Sequence, residues 1–263
     1  MKFKDQIVAI TGASSGIGRQ AAVDFSYNGA KTIILISRNI MRLNEVKKTI
    51  NSDCNVEIYS CDISDKKIVY DVGQNIINDI GTIDILVNNA GIGIYGKVID
   101  QTIEDIEKVT LTNYLGMVYF TKMFLPSMIK NKRGHIVNVA SLAASFGIPG
   151  MAAYCGSKFA VLGFSESLSY ELKNTNVGIT VVSPIAVKTN FFDNESFKGK
   201  MPHKLGYVLN PKTVSRAILK ASYSKRTEIV VPFFVRSAVW LKHTVPYLIT
   251  PIISSSFKDG NHS

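Results

Sequence analysis

Short apolar runs alternate with longer amphipathic segments along most of the chain. The short runs are rich in valine and isoleucine and predict strands at 7–10, 32–36, 56–59, 83–87, 135–139, 179–182 and 228–231. The longer segments predict helices at about 16–28, 39–50, 65–79, 103–131, 151–173 and 211–223. Strands with apolar residues at consecutive positions are typical of parallel strands covered by helices on both faces. The pattern therefore predicts an α/β fold with a doubly wound, mostly parallel sheet of seven strands.

Composition narrows the class of protein. The chain has 263 residues, of which 46% are hydrophobic and 19% charged, and it lacks repeats and low-complexity segments. These values exclude collagen, disorder and a small disulfide scaffold. No break in composition separates two domains, so we predict one. Its cysteines, Cys54, Cys61 and Cys155, form no CxxC pair, which favours a reducing, cytoplasmic compartment.

Neither a leader nor a metal site is predicted. The first residues are charged and lead into a short strand rather than the apolar core of a signal peptide. The longest stretch without charged residues, 134–157, contains glycine, serine, asparagine and proline, so it does not predict a membrane span. The histidines lie without metal-ligand spacing, at His135, His203, His243 and His262.

Positive charge is concentrated near the end of the chain. Residues 1–194 contain 19 basic and 17 acidic side chains, a net charge of +2, whereas residues 195–263 contain 11 and 3, a net charge of +8. Such asymmetry suggests an anionic partner, namely nucleic acid, lipid head groups or a phosphorylated ligand, or else a well-solvated lysine-rich surface. No nucleic-acid reader motif accompanies the charge, so we predict no nucleic-acid binding.

The turn after the first predicted strand is rich in glycine. It runs Thr11-Gly12-Ala13-Ser14-Ser15-Gly16-Ile17-Gly18 and then enters a helix. Glycine allows a tight turn and a close approach of the backbone to a pyrophosphate, while the helix N-terminus offers unpaired N–H groups. This strand–turn–helix context predicts a dinucleotide site.

Five motifs in order carry a resemblance to a known family. The glycine-rich turn is followed by Asn88-Asn89-Ala90-Gly91, by Asn113 in a long helix, by Ser141 after the fifth strand, and by Tyr154 and Lys158 at Tyr-x-x-x-Lys spacing. Over residues 5–231 the chain resembles the short-chain dehydrogenase/reductases, which implies a Rossmann-type domain that transfers hydride between a nicotinamide cofactor and a carbonyl or secondary alcohol. It also implies a homodimer or homotetramer formed through helices 103–131 and 151–173.

Tyr-x-x-x-Lys alone is weak evidence, because Tyr27 and Lys31 match it as well. Gly29 is expected to end the first helix before Lys31, whereas Tyr154 and Lys158 fall within one predicted helix, one turn apart on the same face. A phenol has an ordinary pKa of about 10, and a nearby ammonium is expected to lower the pKa of Tyr154.

The resemblance implies the remaining roles in the proton chemistry. Tyr154 is the acid–base group, Ser141 hydrogen-bonds the substrate oxygen, Lys158 also binds the nicotinamide ribose, and Asn113 holds a water in the proton relay to Lys158. Cys155, beside Tyr154, is either a sensitive thiol or a small buried helix residue.

The end of the second strand bears on the choice of cofactor. It runs Ile36-Ser37-Arg38-Asn39, so a basic residue stands where NAD-binding folds often place an acid. A guanidinium can bind a 2′-phosphate through two hydrogen bonds, so NADP(H) is the preferred cofactor. NAD(H) is the alternative if Arg38 is only a solvated side chain. Asp62 resembles the family's adenine-contacting aspartate, or caps the helix near 65. The predicted cofactor-binding residues are Gly12, Ser14, Ser15, Gly16, Ile17, Gly18, Arg38, Asn39, Asp62, Ile63, Asn89, Ala90, Gly91, Tyr154, Lys158, Pro184, Val187 and Thr189.

The chain departs from the family's usual Pro-Gly after the sixth strand, because Ile185 follows Pro184. Glycine permits a positive φ, so the isoleucine predicts another backbone conformation or strain beside the nicotinamide. Val187 and Thr189 retain the carboxamide-binding positions by resemblance. The resemblance implies that residues 190–210 close over the substrate. This segment mixes lysine with Phe191, Phe192 and Phe197, which favours a lipophilic carbonyl compound unless the rings only anchor the loop.

The last segment is an apolar and basic extension. We expect residues 1–231 to form the catalytic domain and residues 232–263 to pack on that domain, on a partner subunit or on a membrane surface. The prediction is therefore an NADP(H)-dependent carbonyl reductase or alcohol dehydrogenase, cytoplasmic or membrane-peripheral. The alternative is a non-enzymatic module that binds a nicotinamide dinucleotide.

Overall fold

All seven predicted strands join one sheet. The computed structural model describes residues 2–198, 207–245 and 247. The sheet has the order β3-β2-β1-β4-β5-β6-β7, and every neighbouring pair is parallel. The strands are β1 (Ile7–Thr11), β2 (Thr32–Ser37), β3 (Asn55–Ser60), β4 (Ile85–Asn88), β5 (Gly134–Val139), β6 (Val177–Pro184) and β7 (Glu228–Val231).

Helices cover both faces of this sheet. The helices of the described residues are α1 (Gly16–Tyr27), α2 (Ile40–Lys47), α3 (Lys66–Asp79), α4 (Ile103–Thr110), α5 (Gly116–Lys130), α6 (Ala152–Glu171), α7 (Pro211–Ala221) and α8 (Arg236–Thr244). Side chains alternate along each strand, so Ile33 and Leu35 face one layer whereas Ile34 and Ile36 face the other. The first layer contains α1, α2 and α7, and the second contains α3, α5 and α6. The predicted doubly wound α/β fold is confirmed.

Strand order reverses at β1, which lies between β2 and β4. In such sheets, ligands bind in the crevice outside the carboxyl ends of the strands at this reversal. The loops after β1 and β4 carry the glycine-rich turn and the Asn-Asn-Ala-Gly motif, so both motifs lie at this crevice.

The predicted helix at 103–131 is not continuous. A π-helical turn, Leu111–Leu115, separates α4 from α5, and the N–H of Gly116 donates to the carbonyl of Leu111, five residues earlier. The wider turn accommodates one extra residue, which shifts the helical face by a residue. Asn113 lies in this turn and is buried.

Candidate active site

The glycine-rich loop packs directly on the loop after β4. Gly12 has a φ of +65°, and a Cβ there would lie 2.8 Å from the Cα of Ala90. A Cβ at Gly18 would lie 2.4 Å from the carbonyl oxygen of Gly12. Ser15, the N-cap of α1, makes no side-chain capping hydrogen bond, so the N–H groups of the first turn remain available to a ligand. This arrangement suits a phosphate group.

Asn89 and Thr11 hold the two loops together. The Asn89 Nδ2 donates to the carbonyls of Thr11 at 3.0 Å and Gly12 at 3.3 Å. The Thr11 hydroxyl accepts from the backbone N–H groups of Asn89 at 3.0 Å and Ala90 at 3.1 Å. These bonds fix the floor of the crevice, so little rearrangement is needed for a ligand to bind there.

A cleft of about 640 Å³ lies above these loops. Most of the predicted cofactor-binding residues line it, namely Gly12, Ser14, Ser15, Gly16, Ile17, Arg38, Asn39, Asp62, Ile63, Asn89, Ala90, Gly91 and Thr189. Sequence reasoning did not assign the other lining residues to the cofactor, namely Ser37, Arg42, Cys61, Ile92, Gly93 and Thr112, together with Asn190, Phe191 and Asn194 from the segment expected to close over the substrate. Arg42 could have been found, because it follows Arg38 at i,i+4 spacing across a helix start.

The adenosine end of the cleft carries opposite charges. The Arg38 guanidinium lies 3.8 Å from the Asp62 carboxylate, and both side chains are exposed to solvent. Burial raises the pKa of Asp62, but hydrogen bonds from Ser64 and the charge of Arg38 outweigh it, so this pKa lies below its ordinary value. The cap of α3 is Asp65 rather than Asp62. Asn39 caps α2 by accepting from the N–H of Arg42.

Ser141, Tyr154 and Lys158 meet beyond the carboxyl end of β5. The Ser141 hydroxyl hydrogen-bonds the Tyr154 phenol, and it accepts from the N–H of Ala143 at 3.1 Å. Tyr154 and Lys158 stand one turn apart on α6. The Lys158 Nζ lies 5.8 Å from the centroid of the Tyr154 ring and donates to the carbonyl of Val139 at 2.9 Å. The three side chains that the motifs single out are therefore neighbours.

Burial decides the pKa values of this group. Desolvation raises the pKa of Tyr154 to about 12, although the hydrogen bond with Ser141 acts in the opposite direction. Desolvation also lowers the pKa of Lys158 to about 8. The expected lowering of the phenol's pKa by Lys158 is not seen in this structure, where burial dominates and the hydrogen bond with Ser141 is the opposing influence.

Asn113 binds the loop after β4 from the other side. Its Oδ1 accepts from the N–H of Ile92 at 2.8 Å, and its Nδ2 donates to the carbonyl of Ile92 at 2.9 Å. The same Nδ2 donates to the Ser157 hydroxyl at 3.0 Å, next to Lys158 in α6. The π-helical turn thus connects the Asn-Asn-Ala-Gly loop to the helix that carries the Tyr154–Lys158 pair.

An apolar cavity of about 490 Å³ adjoins the cleft. Tyr154, Ser141 and Lys158 line it, together with the predicted cofactor-binding residues Pro184 and Val187. The cleft and the cavity share wall residues, namely Ile17, Asn89, Gly91, Thr189 and Phe191. Two predicted site residues line neither of them: Gly18 is buried in the first turn of α1, and Asn113 is buried in the π-helical turn. The other predicted site residues line the cleft or the cavity.

Aromatic side chains form one wall of the cavity. The Phe191 ring packs edge-on against Tyr154, with centroids 5.3 Å apart, and it also contacts Phe192 and Phe197. Tyr207, in the segment expected to close over the substrate, also lines the cavity. Further lining residues that the sequence did not reveal are Tyr95, Phe146, Ile148, Met151, Val235 and Ala238. Of the segment 190–210 expected to close over the substrate, residues 199–206 lie outside the described part of the chain.

Ile185 causes no strain. It does not belong to the non-glycine residues with positive φ, and its N–H donates to the carbonyl of Val231 at 3.0 Å. Its φ therefore lies outside the left-handed region that glycine favours, and Ile185 lines the apolar cavity. The strain of a positive φ is absent at this position.

The described residues contain neither a metal-type cluster of side chains nor a membrane-spanning helix. In ranges 2–198 and 207–245, no three histidine, cysteine or acidic side chains are grouped as a metal site would need. No helix in the same ranges is both long and apolar enough to cross a bilayer.

Known proteins resemble the chain over most of its length. Residues 6–198 match the family model for short chain dehydrogenases. Dehydrogenase/reductase SDR family member 7B of Xenopus laevis is 34% identical, over 96% of this chain and 82% of that protein. Epidermal retinol dehydrogenase 2 of Mus musculus is 34% identical, over 92% of this chain and 78% of that protein.

Solved structures show the same similarity. A short chain dehydrogenase/reductase from Burkholderia phymatum in complex with NAD has a TM-score of 0.83 at 25% identity, covering 95% of this chain and 96% of that one. The closed form of a serine dehydrogenase complexed with NADP+ has a TM-score of 0.78 at 29% identity, covering 86% and 94%. With the motifs, the sheet order and the family match in agreement, this chain belongs to the short-chain dehydrogenase/reductase family.

Proposed function

We propose that this protein transfers hydride between NADP(H) and an apolar carbonyl compound or the corresponding secondary alcohol. One observation carries the proposal: Ser141, Tyr154 and Lys158 meet where a polar cleft joins an apolar cavity. The cleft suits a dinucleotide and the cavity suits a substrate, so the reacting atoms of both would come together at the phenol of Tyr154.

The residues present fit a nicotinamide dinucleotide. Side chains at Gly12 and Gly18 would collide with backbone atoms, so the loop stays bare, and the uncapped start of α1 can bind the pyrophosphate. The nicotinamide, when bound, supplies or accepts the hydride. Pro184, Val187 and Thr189 would hold its carboxamide end, and Lys158 its ribose.

Tyr154 is the proposed acid for carbonyl reduction. Its pKa of about 12 keeps the phenol protonated at neutral pH, so a proton is available to the substrate oxygen. Ser141 would donate a hydrogen bond to that oxygen as negative charge develops. Lys158, with a pKa of about 8, carries positive charge at neutral pH and favours the phenolate left after proton transfer. Asn113 would hold the water that returns a proton through Lys158.

Two arginines support NADP(H) over NAD(H). Arg38 and Arg42 both line the adenosine end of the cleft, and Ser37 rather than an acid ends β2. A 2′-phosphate would bring two negative charges to these guanidinium groups, whereas Asp62 supplies only one, at 3.8 Å. Complexes with NAD and with NADP+ both occur among the similar structures, so the arginines carry this part of the proposal.

The cavity favours an uncharged, apolar substrate. Among its described lining residues, Lys158 is the only one with a formal charge, and Phe146, Phe192 and Ile148 belong to the walls. A substrate ammonium would lose its hydration without gaining an anionic partner, and a carboxylate would find only Lys158, which the proposed ribose contact already uses. The name of the similar epidermal retinol dehydrogenase 2 points to the same class, an apolar alcohol.

Turnover of a carbonyl panel tests the chemistry. NADPH oxidation would be followed with small diketones, long-chain ketones and steroid-like ketones. Tyr154→Phe removes the hydroxyl, and we expect kcat to fall at least about 100-fold, the usual contribution of a positioned acid. Tyr27→Phe is a matched control, because Tyr27 belongs to the other Tyr-x-x-x-Lys sequence and lies exposed at the end of α1.

Three outcomes separate the alternatives. Loss of turnover in Tyr154→Phe alone supports the proposal. Equal turnover in both variants contradicts the role of Tyr154. Tight NADPH binding without turnover of any panel member favours the non-enzymatic binding module instead.

Cofactor preference has its own test. Arg38→Gln combined with Arg42→Gln should raise KM for NADPH by about tenfold or more, the loss expected for a charge-assisted phosphate contact, and leave KM for NADH nearly unchanged. A control is Arg19→Gln on α1, which is not among the residues lining the cleft. Equal changes in both KM values would contradict the preference for NADP(H).

The oligomeric state and location remain part of this proposal. We expect a homodimer or homotetramer through α4, α5 and α6, in the cytoplasm. Phe159 and Tyr170 of α6 expose large apolar area that such a contact would cover. Sedimentation velocity measures the mass directly, and a monomer at micromolar concentration would contradict the expectation.

A further inference from the structure

The segment around α8 exposes a group of large aromatic side chains. Phe233, Phe234 and Trp240 are 67%, 68% and 66% exposed. We call these three residues the aromatic surface. Isolated apolar residues on a surface are common. Three large exposed rings within eight positions of one short segment instead indicate a surface that contacts another apolar surface.

The orientation of α8 places Trp240 on its outer side. The Lys242 Nζ donates to the carbonyl of Ser145 and lies 5.3 Å and 5.4 Å from the ring centroids of Phe146 and Phe159. Ala238, one turn earlier, lines the apolar cavity. At 3.6 residues per turn, Trp240 lies about 160° around the helix from both of these positions. Lys242 and Ala238 therefore face the domain, and Trp240 faces away from it.

Charge indicates what the aromatic surface meets. Arg236 is exposed and precedes Trp240 by one turn, on the same outer side of α8. The sequence contains no acidic residue between Glu228 and Asp259, within a region, 195–263, that carries 11 basic and 3 acidic side chains. A second copy packed symmetrically would bring the same positive charge against itself. An anionic lipid surface instead supplies the opposite charge and an apolar interior.

We propose that the aromatic surface docks this protein on the surface of an anionic lipid bilayer, with Arg236 against the head groups. Val235 lies between Phe234 and Arg236 in the chain and lines the apolar cavity, as does the exposed Tyr207. The mouth of the cavity therefore borders the docking surface. If the proposed function is correct, apolar substrates then enter the cavity from the bilayer.

The chain carries its own reporter for this test. Trp240 is its single tryptophan, so tryptophan emission comes from the docking surface alone. The holoenzyme would be titrated with vesicles of equimolar phosphatidylserine and phosphatidylcholine, and with vesicles of phosphatidylcholine alone. We expect the emission maximum to move to shorter wavelength with the anionic vesicles only, and raised salt to reverse the change.

Two results would overturn the proposal. One is an unchanged emission maximum with the anionic vesicles. The other is a shift that grows with protein concentration in the absence of vesicles, which would assign the aromatic surface to a second copy of the chain.

Variants separate docking from catalysis. Phe233→Gln combined with Phe234→Gln keeps the reporter and should lower co-sedimentation with anionic vesicles at least about tenfold. Arg236→Gln should lower it about fivefold. Tyr27→Gln combined with Tyr70→Gln, which removes exposed aromatic rings of α1 and α3, is the matched control and should bind as the unmodified chain does. Unchanged NADPH oxidation with a small diketone in every variant shows that the catalytic site is intact, so failure of docking is distinguishable from failure of the proposed function.

Discussion

Lys158 is buried, and its charge is costly where it lies. The residue is 4% exposed, and its Nζ donates a hydrogen bond to the carbonyl of Val139. Burial lowers its pKa from the ordinary 10.5 to about 8. Between these values the unfolded chain binds more protons than the folded chain, so the free energy of unfolding rises with pH in this window. Below pH 8 the folded chain carries the full cost of the charge.

Replacing this lysine should therefore stabilise the cofactor-free chain. Lys158→Met removes a cost of about 3 kcal/mol and loses a hydrogen bond worth about 1 kcal/mol, so we expect a gain of about 2 kcal/mol at pH 7. Urea unfolding at pH 7 and pH 10 measures it, and the gain should shrink at the higher pH. Lys173→Met, an exposed lysine just after α6, is the control. A variant less stable than the parent at pH 7 would contradict this account of burial.

Sequence reasoning was strongest at single residues that carry a motif. It separated the two Tyr-x-x-x-Lys sequences correctly, because Gly29, with a φ of +94°, follows the end of α1 and removes Lys31 from that helix. It misjudged the pKa of Tyr154, since desolvation depends on which side chains surround the phenol. It placed Phe191 in the segment expected to close over the substrate, but no local pattern reveals that its ring packs against Tyr154.

Among the elements, the π-helical turn Leu111–Leu115 has the largest effect on the site. Hydrophobic periodicity predicts a helix across it, because one extra residue changes the pattern too little to be seen. That residue nevertheless lets Asn113 reach Ile92 and Ser157. The existence and order of the strands and of the helices up to α7 were predictable from the sequence, whereas α8 was not predicted. The π-helical irregularity was also missed, because it depends on contacts between distant segments.

The close packing after the π-helical turn predicts the effect of one methyl group. A Cβ at Gly116, the first residue of α5, would lie 2.6 Å from the carbonyl oxygen of Ile63, which lines the cofactor cleft. Since backbone cannot move aside easily, Gly116→Ala should destabilise the fold by about 2 kcal/mol and weaken NADPH binding. Thermal unfolding and a fluorescence titration measure the two effects.

Gly163→Ala provides the matched control for that substitution. Gly163 lies inside α6, and a Cβ there would contact nothing within 4 Å. Alanine favours helix more than glycine does, so this variant should be more stable by up to about 1 kcal/mol. If both alanines changed stability equally, the close approach at Gly116 would not be the cause.

Across the whole molecule, the two ends of the sheet have different roles. The carboxyl ends of the strands carry the candidate site, whereas a buried carboxylate holds the amino ends together. Asp84 Oδ2 accepts from the N–H of Ile7 at 2.8 Å, and its Oδ1 lies 2.5 Å from the guanidinium of Arg133. These residues join the starts of β1, β4 and β5.

Loss of that ion pair should affect stability without affecting the reaction. Arg133→Met leaves the buried charge of Asp84 with fewer partners, but the arginine is itself largely exposed, so we expect a loss of about 1 to 2 kcal/mol rather than the larger cost of a fully buried pair. KM for NADPH should stay the same. Lowered affinity for NADPH with unchanged stability would contradict this division between the two ends.

For the whole molecule, the sequence predicts the parallel, doubly wound sheet but not all of the residues that line the cavity. The short apolar runs identify the buried strands, and the motifs lie at the carboxyl ends of those strands. The position of the ligand-binding crevice could therefore be predicted from the sequence. Val235 and Ala238 come from the extension after β7, and nothing in their local sequence shows that they return to the site. The contact of Lys242 with Ser145 brings them there, across 97 residues of sequence.

The contact between Lys242 and Ser145 joins two parts of the pocket with different origins in the sequence. The proton-handling side chains all fall within residues 6–198, which match the family, whereas Tyr207, Val235 and Ala238 close the cavity from outside that range. Grafting the stretch from Tyr207 onward from another family member would therefore exchange the outer wall of the pocket and keep its chemistry. Such chimeras offer a direct route to new substrate preferences, with Lys242 and the Ser145 carbonyl as the junction that each graft must preserve.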